Sequence, residues 1–137
     1  MTYFDSDYMA GAAPEVMDAL VRSNMELTAG YGADRYTAEA QELIRRAVGC
    51  PTADVRLLVG GTQTNATAIS ALLRPYEGVM AASTAHINVH ESGAVERGGH
   101  KVLVLPSYNG KVSARDVAGY IRDFYRDDTY EHMVAPG

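Results

Sequence analysis

Three apolar, strand-like stretches begin at near-regular intervals along this 137-residue chain: VRLLV at 55–59, GVMAAS at 78–83 and HKVLVLP at 100–106. Helical spacing fills the gaps between them. An antiparallel pair can be joined by a short turn, but a parallel pair needs a crossover of a dozen or more residues, usually a helix. The interval therefore predicts an α/β fold with a mainly parallel sheet. HKVLVLP is continuous enough in apolar residues to lie buried on both faces of such a sheet.

The helical stretches carry their own start and stop signals. Pro14 suits a first helical turn, and PEVMDALVRSN places Val16, Ala19 and Leu20 on one side. TAEAQELIRRAVG reads as a helix with Thr37 as N-cap and Gly49 as terminator, its apolar face formed by Ala40, Leu43, Ile44 and Ala47. A further helix is predicted over 62–73, and AHINVHESGAVE reads as a loop followed by a short helix. YNGK is a turn signal, and SARDVAGYIRDFYRD is a helix opened by Ser113 with Asp116 three residues on. HMVAPG opens a fourth strand, so the 137 residues are read either as a whole small domain or as the first part of a larger one.

Composition excludes several classes of function. Apolar residues make up 47% and charged ones 21%, which is the balance of a folded domain. The formal net charge of −5, with no basic stripe, argues against a nucleic-acid or anionic-membrane surface. Cys50 is the single cysteine, so neither an intrachain disulfide nor a cysteine-based metal site can form. A free thiol and the lack of a secretory signal lead to the expectation of a reducing cytoplasm, and no apolar run is long enough to span a bilayer.

The segment LVGGTQTNA (58–66) passes from strand-like to helical sequence through two glycines. A helix N-terminus presents unpaired N–H groups and a partial positive charge, and glycines let a bound phosphate come close to the backbone. On the residues alone, Gly60–Asn65 is as readily a plain strand-to-helix turn with Thr62 as N-cap as it is a phosphate cradle. His86 and His90 stand four apart, but Ile87 occupies the position where the HExxH zinc motif has its glutamate, so no metal site is expected. GYGADR starts like a dinucleotide fingerprint, yet Arg35 fills the third glycine position and no strand precedes it. Tyr120, Tyr125 and Tyr130 are read as packing residues near the C-terminus.

Four segments taken in order, FDSDYMAGAAPEV (4–16), TAGYGADRYT (28–37), LVGGTQTNA (58–66) and STAHINVHESGAVE (83–96), resemble the threonine aldolase and β-eliminating lyase group of fold-type-I enzymes that use pyridoxal phosphate. The resemblance runs along essentially the whole chain but matches only the N-terminal part of such an enzyme. It implies a three-layer αβα arrangement, the N-terminal portion of the family's large domain. It further implies that Gly61 and Thr62, with Gly60 and Gln63 beside them, cup the cofactor phosphate. His86 resembles the residue whose imidazole lies on the pyridine ring, and Glu91 its structural companion. Ser6, Tyr31 and Gly32 resemble segments that line the site, the last two often facing the cofactor of a neighbouring subunit. The turn Asp34-Arg35-Tyr36-Thr37 departs from the family's acidic–proline–threonine pattern.

The reaction implied is cleavage of a β-hydroxy-α-amino acid to glycine and an aldehyde, with His86 positioning or deprotonating the hydroxyl. The implied partners are a small amino-acid substrate and further copies of the chain as a homo-oligomer. That chemistry needs a lysine to form a Schiff base with the cofactor. Lys101 and Lys111 are the only lysines, and neither matches the family's position. The expectation is thus a lyase fragment inactive alone. A truncated, non-catalytic remnant that binds phosphate or self-associates is the alternative. A complete small phosphate-binding domain is a third.

Overall fold

The computed structural model describes Ser6 and residues 8–137; the rest of the irregular opening, including Phe4, Asp5 and Asp7 of the first family-like segment, lies outside the described residues. The chain divides into two compact units, Met1–Arg56 and Leu57–Gly137.

The first unit holds two helices, α1 (Pro14–Ser23) and α2 (Arg35–Ala47). Pro14 starts α1, as its fixed φ and missing N–H favour. The N-cap of α2 is Asp34 and not Thr37. The Asp34 carboxylate accepts from the Thr37 backbone N–H at 2.8 Å and from its hydroxyl at 2.7 Å, so the helix begins earlier than the sequence reading placed it. Asp is a stronger cap than Thr, and here it also takes up the threonine hydroxyl. Arg35 donates to Glu26 at 2.6 Å and Tyr36 donates to the same oxygen at 2.8 Å. The departure from the family-like turn at 34–37 is thereby occupied with local structure.

The second unit is built on a three-stranded parallel sheet of order β2-β1-β3, formed by β1 (Glu77–Ala82), β2 (Val102–Leu105) and β3 (Ala135–Pro136). β1 pairs with β2 from Val79↔Val102 to Ala82↔Leu105, and with β3 at Glu77↔Ala135 and Gly78↔Pro136. The helices are α3 (Gly61–Leu72), α4 (His86–Val89), α5 (Ala94–Arg97) and α6 (Ala114–Arg126). α3 packs on α5, α4 on β1 and β2, and α6 on β2. The packed centre consists of Ala82, Val95, Val102, Leu103, Leu105 and Phe124. Phe124 meets Tyr125 and Tyr130 edge-on at 4.9 and 5.7 Å, which bears out the packing role read for two of the tyrosines. Ser113 caps α6 by accepting from the Asp116 N–H, as its sequence spacing indicates. YNGK closes a tight turn, with Asn109 and Gly110 at positive φ.

One predicted strand is absent. VRLLV at 55–59 joins no ladder among the described residues, and Leu57, Leu58 and Val59 are 56%, 41% and 96% exposed. Apolar content makes a segment suited to a sheet, but a strand exists only where a neighbour takes up its N–H and C=O groups. The segment runs across the boundary between the two units and is paired in neither.

Candidate functional site

β1 is the central strand, with β2 on one side and β3 on the other. In open parallel sheets, ligands bind beyond the C-terminal ends of the strands. His86 lies four residues beyond the end of β1. The turn that carries it is held by Asn88, whose side-chain amide donates to the Ser83 carbonyl at 2.8 Å, and Ser83 bonds Ser107 beyond the end of β2 at 3.2 Å.

The glycine turn opens α3 in the way an anion cup requires. Its N-cap is Gly60, with extended φ and ψ and no side chain to cap the helix, and Gly61 begins the helix. Thr62 therefore falls in the first turn and is not the cap. The Gly61, Thr62 and Gln63 N–H groups lie within the four that an α-helix leaves without intrahelical acceptors. A Cβ added at Gly60 or Gly61 meets nothing within 4 Å, so the space before these amides is open. Gln63 turns back and accepts from the Val59 N–H at 3.0 Å, while the Thr64 hydroxyl donates to the Gly60 carbonyl at 2.9 Å. Both bonds fix the turn from within.

Glu91 joins this cup to the histidine. Its side chain is fully buried, and Oε1 lies 2.6 Å from Asn65 Nδ2 and 2.8 Å from His86 Nδ1. Oε2 is buried with no hydrogen-bond partner among the described residues. The bond from His86, then that from Asn65, hold the Glu91 carboxyl below the ordinary glutamate value of 4.5, against the opposing effect of burial. An ionised carboxylate only accepts, so Nδ1 of His86 bears the proton of this bond, and in the neutral ring Nε2 is the nitrogen with the lone pair. The His86 side chain is 64% exposed, and its ring stands 5.5 Å from that of His90 at 47°. Among the described residues, no group of three or more His, Cys, Asp or Glu side chains could hold a metal.

Two consecutive left-handed residues, Ser92 (φ 51°) and Gly93 (φ 71°), reverse the chain directly after Glu91. This conformation is strained for Ser92, and such outliers gather where a site needs a particular side-chain direction. The lowered Glu91 pKa has a signed consequence. Its stabilisation is complete above the ordinary carboxylate range and is lost as pH falls through the folded value. The urea midpoint of the parent is expected to fall more steeply on acidification below pH 4.5 than that of Glu91→Gln. Parallel curves for the two would remove Glu91 from the acid response.

Of the sequence-predicted residues, Gly60, Gly61, Thr62, Gln63, His86 and Glu91 lie in the second unit, the last two joined by a direct bond. Ser6, Tyr31 and Gly32 lie in the first. Ser6 accepts weakly from the Tyr8 N–H at 3.4 Å, and Tyr31 (φ 59°) and Gly32 (φ 75°) form a left-handed turn with the Tyr31 ring fully exposed. Sequence reasoning missed Asn65 as a partner of Glu91; its place in GTQTN, one turn into the helix, was the available signal. It also missed His100, which is buried and bonds the Glu77 carbonyl through Nδ1 at 3.0 Å.

Fold and site together define an α/β protein with an open helix N-terminus tied to an exposed, oriented imidazole. The family model of the beta-eliminating lyases matches residues 4–134, and the chain belongs to that family. It is 33% identical over 120 residues to the low-specificity L-threonine aldolase of Pseudomonas aeruginosa and 34% identical to that of a Pseudomonas strain. Each match covers 84% of this chain and 34% of the relative. Among solved structures, the threonine aldolase of Leishmania major matches with a TM-score of 0.88 and 42% identity over 95% of this chain and 37% of its own length. The predicted fold class, the α/β fold of that enzyme group with a parallel sheet, is thereby borne out. The chain spans about a third of the length of these relatives. No helix among the described residues is long and apolar enough to cross a membrane.

Proposed function

We propose that this chain supplies the phosphate cup and the ring-facing histidine of a threonine-aldolase-type lyase that uses pyridoxal phosphate to cleave a β-hydroxy-α-amino acid into glycine and an aldehyde. The observation that carries the reading is the shared Glu91 oxygen. It ties His86 to Asn65, one turn into the helix whose N-terminal amides stand open. The residues present suit such a cofactor: backbone N–H donors with open space before them for a phosphate, and an exposed imidazole for an aromatic ring.

When bound, pyridoxal phosphate supplies an electron sink for the bond broken at the α-carbon. The Gly61 and Thr62 N–H groups would hold the phosphate, with the Thr62 hydroxyl as a further donor. His86, held through Nδ1, would use Nε2 to orient the substrate hydroxyl or take its proton. Lys101 lies in the approach to β2, its carbonyl accepting from the Val79 N–H, and Lys111 closes the YNGK turn; both are exposed. Neither is assigned the covalent role, so these 137 residues alone are expected to be inactive in aldol cleavage. Association with further copies belongs to the same reading. It is supported by the apolar residues Met17, Leu20 and Val21 of α1, which are 48%, 56% and 71% exposed.

Pyridoxamine phosphate is the fitting probe, because its amine cannot form adducts with the two lysines. Fluorescence titration should show binding by the parent, weakened about tenfold by Gly61→Val, equivalent to about 1.4 kcal/mol. Thr62→Ala should weaken it by a smaller factor. If both variants bind as the parent does, the cup is misassigned. Sedimentation of the same samples would reveal association, and a strictly monomeric chain would remove that part of the reading.

A further inference from the structure

We propose that Asn65 is the positioning residue for the His86 imidazole. Its amide fixes the buried Glu91 carboxylate so that Oε1 takes the Nδ1 proton, leaving Nε2 as the working nitrogen. The bonds are on one oxygen: Asn65 Nδ2 at 2.6 Å and His86 Nδ1 at 2.8 Å. The other oxygen has no partner among the described residues, so nothing there holds the carboxylate in its rotation. A buried carboxylate with a single donor is poorly compensated and free to turn its oxygens away from the ring. With 64% of its side chain exposed, His86 has little packing to hold it if that bond is lost. A free imidazole prefers its proton on Nε2, so the tautomer here is imposed by its acceptor. The use made of Nε2 rests on the function proposed above; the tautomer does not.

The test is a long-range proton–nitrogen NMR correlation on the full chain carrying 15N-histidine, at a pH of about 8, where ordinary imidazoles are neutral. The spectrum of His86→Gln identifies the His86 signals among the four histidines. The parent should show His86 in the Nδ1–H form. In Asn65→Leu, which keeps side-chain volume but removes the donor, His86 should lose that single pattern and move toward Nε2–H. His100, whose Nδ1 bonds a carbonyl elsewhere, should stay as it is. A purely structural role for Asn65 would leave the tautomer unmoved. Retention of the parental His86 pattern in Asn65→Leu would overturn the proposal, as would an Nε2–H pattern in the parent. Should that variant fail to fold, the unaltered chain decides. One Asn65 side-chain amide proton should be shifted downfield and slow to exchange, and ordinary exposed-amide behaviour of both would sink the idea. None of these readouts requires cofactor, so failure to bind pyridoxamine phosphate would count against the functional reading alone.

Discussion

Gly78→Ala is expected to destabilise the second unit by about 3 kcal/mol, at the upper end of what overpacking usually costs. Gly78 sits near the start of β1, where that strand serves both ladders. A Cβ there would stand 2.6 Å from the Lys101 carbonyl oxygen, 2.9 Å from Leu103 Cγ and 3.0 Å from Val134 Cγ1. The first is backbone, which a rotamer change cannot move. Relief requires β1 and the approach to β2 to separate, and that weakens the bond from the Val79 N–H to the same carbonyl. Whole-domain stabilities are on the order of 5–15 kcal/mol, so the loss should be plain in a urea midpoint. A variant that melts with the parent would mean that the strands are not this close in solution.

Leu105→Ala should cost a similar amount, about 3 kcal/mol, by the opposite mechanism. Leu105 is 2% exposed, and truncation there removes apolar contacts and leaves a cavity. Val104, next along β2, is 47% exposed, and Val104→Ala should shift stability by less than about 1 kcal/mol. The contrast between adjacent positions tests the strand's orientation as well as its packing. Equal losses at the two sites would contradict the inward direction of Leu105. The effect should reach the site, because Leu105 pairs in register with Ala82, the last residue of β1 before the turn that carries His86. Chemical denaturation of both variants, with pyridoxamine phosphate titration of Leu105→Ala, would show the two losses together.

The sheet was legible in the sequence where burial determined it. Val102, Leu103 and Leu105 are buried as their apolar run predicts, but Val104 in the same run is 47% exposed, so β2, the end strand of the described sheet, is not buried throughout on both faces. VRLLV carried the same signal and forms no strand, since pairing depends on a neighbour that composition does not reveal. The Thr37 and Asp34 case is a competition between two acceptors three residues apart, decided by the side chain that could satisfy a backbone N–H and a hydroxyl together. At the site, the glycine turn and His86 were readable as types suited to a phosphate and a ring. The bond from Asn65 to Glu91 was not, because it joins positions 26 apart that only the packing of α3 on α5 brings together.

That bond also governs the timing of order in the site. Because one carboxylate oxygen ties the helix of the glycine turn to the loop of the histidine, neither can drift without the other. The conformational entropy of aligning them is given up when the chain folds, and a ligand arriving later finds its donors already in place. Such a site loses little further freedom on association. It should also discriminate by shape, because a ligand with a different span between anion and ring cannot draw one contact toward the other.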